Sequence, residues 1–161
     1  MKKYKDQTLA KYLDALSSKT PVPGGGSAGA LAGALGAGLI SMVANYSIGK
    51  GKPKDVERKI KGSLKVSEKI KKRLLALVDL DAEAYLGVVN SKNAGTKLRN
   101  SALLKAREVP LEVCLLCYRA IELTPYLVAH GNKNLLSDVK VAAEILLAAY
   151  NSAMINVRIN Q

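Results

Sequence analysis

The stretch PVPGGGSAGALAGALGAGLISMVANYSI occupies residues 21–48 and contains no charged side chain. It predicts one helix from about Gly26 to Ile48, because alanine and leucine are strong helix formers. At about 100° per residue, one face of this helix carries the bulky side chains Leu31, Leu35, Leu39 and Met42. The opposite face carries Gly26, Gly29, Gly33 and Gly36. A stripe of glycines indicates close approach to the helix backbone by a partner helix or, less commonly, by a flat ligand.

The same stretch is long enough to cross a bilayer, which takes roughly 20 residues. Much of it is glycine and alanine, however, and these residues contribute little to membrane insertion. We therefore expect no membrane span here, but a helix that is buried on all sides of a helical bundle.

The whole chain, residues 1–161, predicts a single domain of all-α class. Phe and Trp are absent, so aliphatic side chains must fill the core, and no alternating strand pattern of useful length occurs. The expected architecture is a dimeric bundle of long antiparallel helices packed around the buried Gly/Ala-rich helix. The predicted helices besides that one cover residues 8–17, 54–90 and 97–123, and a last helix begins at Ser137 as its N-cap. Pro110 is expected to kink or split the helix that contains it.

The formal net charge is +12, with 25 basic and 13 acidic residues. Between Lys50 and Arg73 there are eleven basic residues and three acidic ones. Such an excess favours an anionic partner. No aromatic residue interleaves with the basic ones, and no helix-turn-helix or zinc signature occurs, so we expect a solvated helix face and no nucleic-acid partner.

The residues that most often serve redox, metal or proton chemistry are few. Cys114 and Cys117 lie among apolar neighbours and are expected to be buried structural thiols. His130, the sole histidine, precedes a Gly-Asn pair and is expected near a helix end. These residues predict no metal site. The N-terminus has no apolar signal core, which favours a reduced, cytoplasmic setting.

The entrance of the glycine-rich helix, Pro23-Gly24-Gly25-Gly26-Ser27, has two interpretations. Free backbone N–H groups at a helix start can bind an anion. The alternative is a tight turn in which Ser27 caps the helix. The local sequence does not decide between them.

A second motif, Asp79-Leu-Asp81-Ala-Glu83, lies within the predicted helix 54–90. Asp79 and Glu83 share one helix face, whereas Asp81 points about 200° away from Asp79, toward the side of Val78 and Tyr85. Burial raises the pKa of a carboxyl and so suits it to general acid–base chemistry. The alternative is a carboxylate paired with a lysine, and the residues alone favour that alternative.

The chain closes on Asn156-Val-Arg158-Ile-Asn160 after a strongly apolar helix. This alternation is either a frayed helix end or a polar lining for a shared site.

Taken together, these motifs resemble the cyclodeaminase/cyclohydrolase family of folate enzymes. The resemblance is carried in collinear order by residues 20–27, 33–39, 42–44, 78–85, 109–112, 131–132, 137–138 and 156–160. Two departures stand out. The segment 91–100 is shorter than in relatives, and relatives continue with another helix past Gln161, which would matter if that helix shields the site or builds the dimer.

The resemblance implies an all-helical homodimer that takes a tetrahydrofolate derivative as substrate and needs no metal or redox cofactor. Asp81 matches the family's proposed proton donor or acceptor. The expected substrate-binding residues are Pro23, Gly24, Gly25, Gly26, Ser27, Lys50, Asp138, Asn156, Arg158 and Asn160. Lys50 and Lys52 are expected to hold the glutamate tail, which can be several residues long.

The preferred activity is hydrolysis of 5,10-methenyltetrahydrofolate to 10-formyltetrahydrofolate. A stand-alone cyclodeaminase, which closes the ring of 5-formiminotetrahydrofolate and releases ammonia, needs a formimino donor pathway that the sequence does not show. It is kept as the alternative. The other hypotheses are a non-catalytic folate-binding or scaffold protein and a basic nucleic-acid-binding module.

Overall fold

The computed structural model describes residues 3–159, and all regular structure in that range is helical. The α-helices are α1 (Leu9–Ser17), α2 (Gly25–Ser47), α3 (Lys54–Asn90), α4 (Thr96–Ile121), α5 (Thr124–His130) and α6 (Leu136–Ile159). Short 3-10 helices occupy Tyr4–Asp6 and Lys133–Leu135. The predicted all-α class is confirmed.

Two local predictions fail in part. Pro110 lies inside α4, which runs unbroken from Thr96 to Ile121, so the proline does not split the helix. Ser137 is not an N-cap, because α6 begins at Leu136 directly after the second 3-10 helix. The 3-10 helix Lys133–Leu135 continues directly into α6, so α6 begins one residue before Ser137. Asp138 still lies in the first turn of α6, as expected.

Helix α2 is the centre of the bundle and runs antiparallel to α3. Near its middle, a Cβ built at Gly33 would lie 3.2 Å from Leu74 Cδ1. Further along, the Ser41 and Ser67 hydroxyls pair at 2.8 Å in the core. The partner residue number falls as the α2 number rises, which is the signature of an antiparallel helix pair.

The remaining glycines of the stripe explain how α6 approaches α2. A Cβ at Gly29 would meet Ser152 Oγ at 2.9 Å, and one at Gly36 would meet Leu146 Cγ at 2.6 Å. Real Cβ contacts are longer than this, so both positions require glycine for the observed packing. The stripe is therefore filled by neighbouring helices, as the partner-helix interpretation expects.

The opposite face of α2 is only partly covered within one chain, since Leu31, Leu39 and Met42 are partly buried against the core. Leu35 and Tyr46 are each 59% exposed, whereas Ala30, Ala37 and Ile40 are fully buried. The expectation of burial on all sides is thus wrong for the single chain. The reason is that α3 and α6 pack against the small-residue side, where helix backbones approach most closely.

By length and composition alone, α2 qualifies as a membrane span, with a mean hydropathy of 1.6. In the bundle, 61% of the apolar window is buried by the rest of the fold. Burial of this kind is typical of a core helix.

Candidate active site

A cavity of about 330 Å³ opens at the end of the bundle where α2 begins. The second half of α3, the first half of α4 and the end of α6 meet there. It is lined by Pro21, Val22, Gly24, Gly25, Gly26, Asp81, Ala84, Tyr85, Val88, Leu103, Ala106, Asn156 and Ile159. Five of the residues expected from the sequence, namely Gly24, Gly25, Gly26, Asp81 and Asn156, thus lie together although they come from distant parts of the chain.

The glycine entrance presents bare backbone to this cavity. Gly24 is the N-cap of α2 in an extended conformation, and Gly25 is its first helical residue. A Cβ at either position would have no atom within 4 Å. Pro23 lies behind the wall, buried, after a cis peptide bond from Val22.

Ser27 does not cap the helix, contrary to one of the two interpretations. It is the third helical residue and fully buried, and its hydroxyl pairs with the Tyr12 hydroxyl at 3.1 Å. No side chain caps the start of α2. Its first N–H groups are therefore directed at whatever lies beyond the helix end.

The Asp81 carboxyl lies at the start of α2, next to the backbone of its first turn. A Cβ built at Gly26 would stand 2.6 Å from Asp81 Cγ, so only a glycine lets the carboxyl come this close. The Ser27 backbone N–H lies close enough to the carboxyl to lower its pKa. A negative charge at a helix N-terminus is favoured both by such N–H groups and by the helix dipole.

Two opposing effects set the acidity of Asp81. Burial raises the pKa of its carboxyl, and the Ser27 N–H lowers it, with burial the larger effect, so the net pKa is raised. Within residues 3–159, lysine and arginine form their ion pairs with other carboxylates, and none with Asp81. The lysine-paired alternative is therefore wrong, and the geometry favours a proton-transfer role.

The end of α6 contributes one side of the cavity. Asn156 lines it, and its Nδ2 donates to Ser152 O at 3.0 Å. Arg158 lies in the last turn of α6 with an exposed side chain and is not part of the lining. Asn160, which the sequence also singled out, lies outside the described residues.

Lys50 and Asp138 are placed at the other end of the bundle. Lys50 is exposed just past the end of α2, which at 23 residues spans about 34 Å. Asp138 lies in the first turn of α6, and α6 reaches the cavity only with its last turns. Within one chain, these two residues do not belong to the Asp81 cavity.

A larger groove of about 620 Å³ separates α3 from the first half of α4. It contains none of the residues expected to bind substrate. Two of its lining residues form an ion pair, in which Arg73 Nε and Nη2 donate to the Glu112 carboxylate at 2.7 and 2.8 Å. This two-point pair ties α3 to α4 and is satisfied without a ligand.

The remaining polar candidates have structural surroundings. Cys114 and Cys117 are buried and free, and burial raises the pKa of Cys117 to about 12. Both thiols are thus structural, as predicted. His130 ends α5 and stacks on Tyr126, with ring centroids 4.5 Å apart. Among residues 3–159 no group of three or more His, Cys, Asp or Glu is placed to hold a metal ion.

Sequence reasoning missed two tyrosines near Asp81. Tyr85 was noted only as a neighbour on the apolar side of α3, yet it lines the cavity. Tyr12 lies within the predicted helix 8–17, on its apolar face by spacing, yet its buried hydroxyl contacts Ser27. The sequence offered one indication of these contacts. A tyrosine on a buried helix face usually needs a hydrogen-bond partner for its hydroxyl, so a polar neighbour could have been expected.

Within the described residues, the fold and the site define an all-helical protein with a half-buried carboxyl, that of Asp81, at a helix N-terminus beside a small-molecule cavity. A model of the formiminotransferase-cyclodeaminase family matches residues 8–161, and the chain belongs to this family. The expected resemblance is confirmed.

Individual relatives agree with that assignment. A methenyltetrahydrofolate cyclohydrolase of Methylorubrum extorquens is 37% identical over 96% of this chain and 79% of its own length. The formimidoyltransferase-cyclodeaminase of Rattus norvegicus is 28% identical over 96% of this chain but only 30% of its own length. The crystal structure of formiminotetrahydrofolate cyclodeaminase from Thermotoga maritima superposes with a TM-score of 0.92 at 30% identity, covering 97% of this chain and 79% of that one.

Proposed function

We propose that this protein hydrolyses 5,10-methenyltetrahydrofolate to 10-formyltetrahydrofolate, with Asp81 as general base and acid. The observation that carries the proposal is the position of the Asp81 carboxyl, which lies in the cavity against the open start of α2. The identity to a methenyltetrahydrofolate cyclohydrolase supports the choice of substrate.

The chemistry needs one group that first accepts and then returns a proton. The methenyl bridge joins N5 and N10 and carries a positive charge, which an ionised Asp81 attracts. Water adds to the methenyl carbon while Asp81 accepts a proton from it. The tetrahedral carbon then expels N5, which takes the proton back from Asp81, and the remaining hydroxyl loses its proton as the N10-formyl group forms. The sum is one water consumed and one proton released.

The cavity suits part of a folate rather than all of it. About 330 Å³ lies at the small end of ligand cavities, which fits a flat bicyclic ring but not a glutamate tail. Gly24 and Gly25 offer a side-chain-free wall for such a ring. Asn156 supplies an amide and Tyr85 an aromatic ring at the edges.

Cyclodeamination of 5-formiminotetrahydrofolate is the second candidate. Its support is the structural match to a formiminotetrahydrofolate cyclodeaminase. The same carboxyl would serve, because N10 must lose a proton as it attacks the formimino carbon and the departing ammonia must gain one. The two activities therefore share Asp81 and differ in the group that leaves the tetrahedral carbon.

Assembly as a homodimer completes the proposal. Large apolar side chains lie exposed on the outward sides of α4 and α6: Leu104, Leu111, Leu115, Tyr118, Leu147 and Ile155. On α4 their spacing of seven, four and three residues forms one stripe. Since α4 and α6 pack against each other, as the approach of Cys114 Sγ to Tyr150 O indicates, we propose that a second copy covers the exposed apolar side chains of both helices.

The dimer also gives Lys50 and Asp138 a route to the substrate. Each lies at the far end of its own chain, so we propose that they act on a cavity of the partner copy. There Lys50 would contact the carboxylates of a polyglutamate tail. We further propose that the protein works in the cytoplasm without metal, redox cofactor, membrane or nucleic acid.

The decisive experiment follows the near-ultraviolet absorbance of 5,10-methenyltetrahydrofolate. Wild type should accelerate its loss, whereas Asp81→Asn should match the uncatalysed rate. Asp55→Asn is the matched control, because Asp55 is an exposed aspartate at the start of the same helix. If wild type and Asp81→Asn both match the blank, the cyclohydrolase proposal fails.

The same assay with 5-formiminotetrahydrofolate, followed as an absorbance gain, tests the second candidate. Folate binding without turnover of either compound would indicate a non-catalytic binding protein. Steeply salt-dependent binding to duplex DNA or RNA without folate binding would overturn both enzyme proposals.

The dimer is tested by light scattering on Leu115→Glu, with Leu13→Glu as the control. Both leucines are exposed, but Leu13 lies on α1 rather than on the α4/α6 surface. We expect a monomer for the first variant and a dimer for the second. A monomeric wild type would contradict the proposed assembly.

A further inference from the structure

The Tyr12 hydroxyl lies behind the cavity wall and not inside the cavity. Tyr12 is 4% exposed and pairs with the fully buried Ser27 hydroxyl at 3.1 Å. Tyr12 does not line the cavity, so it has no direct access to a bound ligand. A buried hydroxyl pair fixes the relative position of the two elements that carry it, here α1 and the first turn of α2.

The first turn of α2 is also where Asp81 is held. The backbone of Gly26, the residue before Ser27, packs directly against the Asp81 carboxyl, and the Ser27 N–H lowers the pKa of that carboxyl. The Ser27 side chain is the group that Tyr12 contacts. A shift of Ser27 therefore moves both the N–H donor and the glycine backbone against which the carboxyl packs. The connected set is Tyr12, Ser27 and Asp81.

Tyr12 is itself fixed by the N-terminal segment. The Tyr4 ring meets the Tyr12 ring edge-on, with centroids 6.2 Å apart and an interplanar angle of 84°. The Tyr4 hydroxyl donates to Val22 O at 3.1 Å, and the Tyr4 N–H donates to the buried Asp79 Oδ1 at 2.6 Å. The two tyrosines thus join α3, the loop that lines the cavity and the start of α2.

From this geometry we propose that Tyr12 is a positioning residue for Asp81, acting through Ser27. The inference rests on the proposed proton-transfer role of Asp81. Tyr12 contributes no proton to the substrate. It keeps the Ser27 N–H directed at the carboxylate, so that Asp81 stays ionised and correctly placed while water attacks.

The test compares Tyr12→Phe with Tyr126→Phe, which removes a phenol oxygen at the far end of the bundle on α5. Tyr12→Phe keeps the ring that packs against Tyr4 and loses only the hydroxyl. We expect kcat on 5,10-methenyltetrahydrofolate to fall by about tenfold with KM little changed, because a small displacement of a catalytic group costs rate rather than binding. Tyr126→Phe should leave both constants unchanged.

A second readout does not depend on turnover. The titration of the Asp81 carboxyl, followed by carbon-13 NMR, should move to higher pH in Tyr12→Phe, because a loosened Ser27 N–H stabilises the ionised form less well. Ser27→Ala removes the other hydroxyl of the pair and should reproduce this shift. In the double variant the two effects should not add, because they break one contact.

The outcomes separate the two proposals. If wild type turns over neither folate, the proposed function fails, yet the carboxyl titration still decides whether Tyr12 positions Asp81. An unchanged titration midpoint in both Tyr12→Phe and Ser27→Ala overturns the positioning role, whatever the activity. A fall in kcat with that midpoint unchanged also overturns it, since the effect would then not pass through Asp81.

Discussion

Replacing Gly26 by alanine tests the site at its tightest point. The new methyl group would lie 2.6 Å from Asp81 Cγ, whereas carbon atoms normally rest about 3.5–4.0 Å apart. The carboxyl must therefore retreat by about 1 Å from the start of α2, and it loses part of its contact with the Ser27 N–H.

The size of the effect follows from two opposing contributions. Alanine stabilises a helix by up to about 1 kcal/mol relative to glycine. Overpacking against Asp81 costs about 1–3 kcal/mol. The net change in unfolding free energy is then between zero and about 3 kcal/mol of destabilisation, so the variant should fold. Activity should suffer more, because displacing a catalytic group by about 1 Å can cost about 100-fold in rate.

The assay measures kcat/KM on 5,10-methenyltetrahydrofolate together with urea unfolding. Gly62→Ala is the matched control, because Gly62 lies inside α3 and a Cβ there would have no atom within 4 Å. That variant should gain up to about 1 kcal/mol of stability and keep full activity. If folded Gly26→Ala retains kcat/KM within about twofold of wild type, the close seating of Asp81 on α2 does not matter for catalysis, and our reasoning is refuted.

Three further predictions use other parts of the molecule. The pKa of Asp81 is raised by burial, so kcat/KM should rise with pH through that pKa as the general base ionises, and a flat profile would contradict the assignment. For the same reason the folded state binds the Asp81 proton more tightly than the unfolded state, so Asp81→Asn should gain stability relative to wild type as pH rises above the unfolded value, measured by urea unfolding across pH. Cys117, with its pKa of about 12, should resist thiol reagents in the native protein and react once the chain is unfolded, and rapid native labelling would show that the core opens.

How far the sequence predicts this fold depends on which force decides each element. The long apolar pattern of α3 gave its bounds, Lys54–Asn90, without error, because helix propensity and periodicity agree there. The start of α6 was predicted incorrectly, because Ser137 was expected to cap the helix. Instead, the 3-10 helix Lys133–Leu135 leads directly into α6 at Leu136. The exposed face of α2 was also misjudged. Leu35 on this face satisfies the helical pattern equally well whether or not another element covers it.

The site was predictable to the extent that chemistry is local. The sequence indicated a possible proton-transfer role for Asp81 and a possible anion site at the glycine entrance. It also left a structural alternative open for each: a lysine-paired carboxylate and a tight turn capped by Ser27. The structure excludes both structural alternatives, since Ser27 does not cap α2 and no ion pair of the described residues involves Asp81. The roles of Asp81 and of the glycine entrance in catalysis and binding remain proposals. Tyr12 could not be connected to them, because its contact with Ser27 depends on how α1 packs against α2.

The glycines of α2 are not interchangeable, because each lies against a different neighbour. Gly29 and Gly36 leave room for α6, so a side chain at either position opposes packing of the core. Gly26 leaves room for the Asp81 carboxyl. Gly25 lines the cavity, and a Cβ there would have no atom within 4 Å. A helix that is poor in side chains along one stripe can therefore pack tightly over most of its length and still offer backbone at its first turn. Because α2 builds the core and the cavity wall with the same small residues, the position of its first turn, and with it Asp81, is set by the packing of the whole bundle.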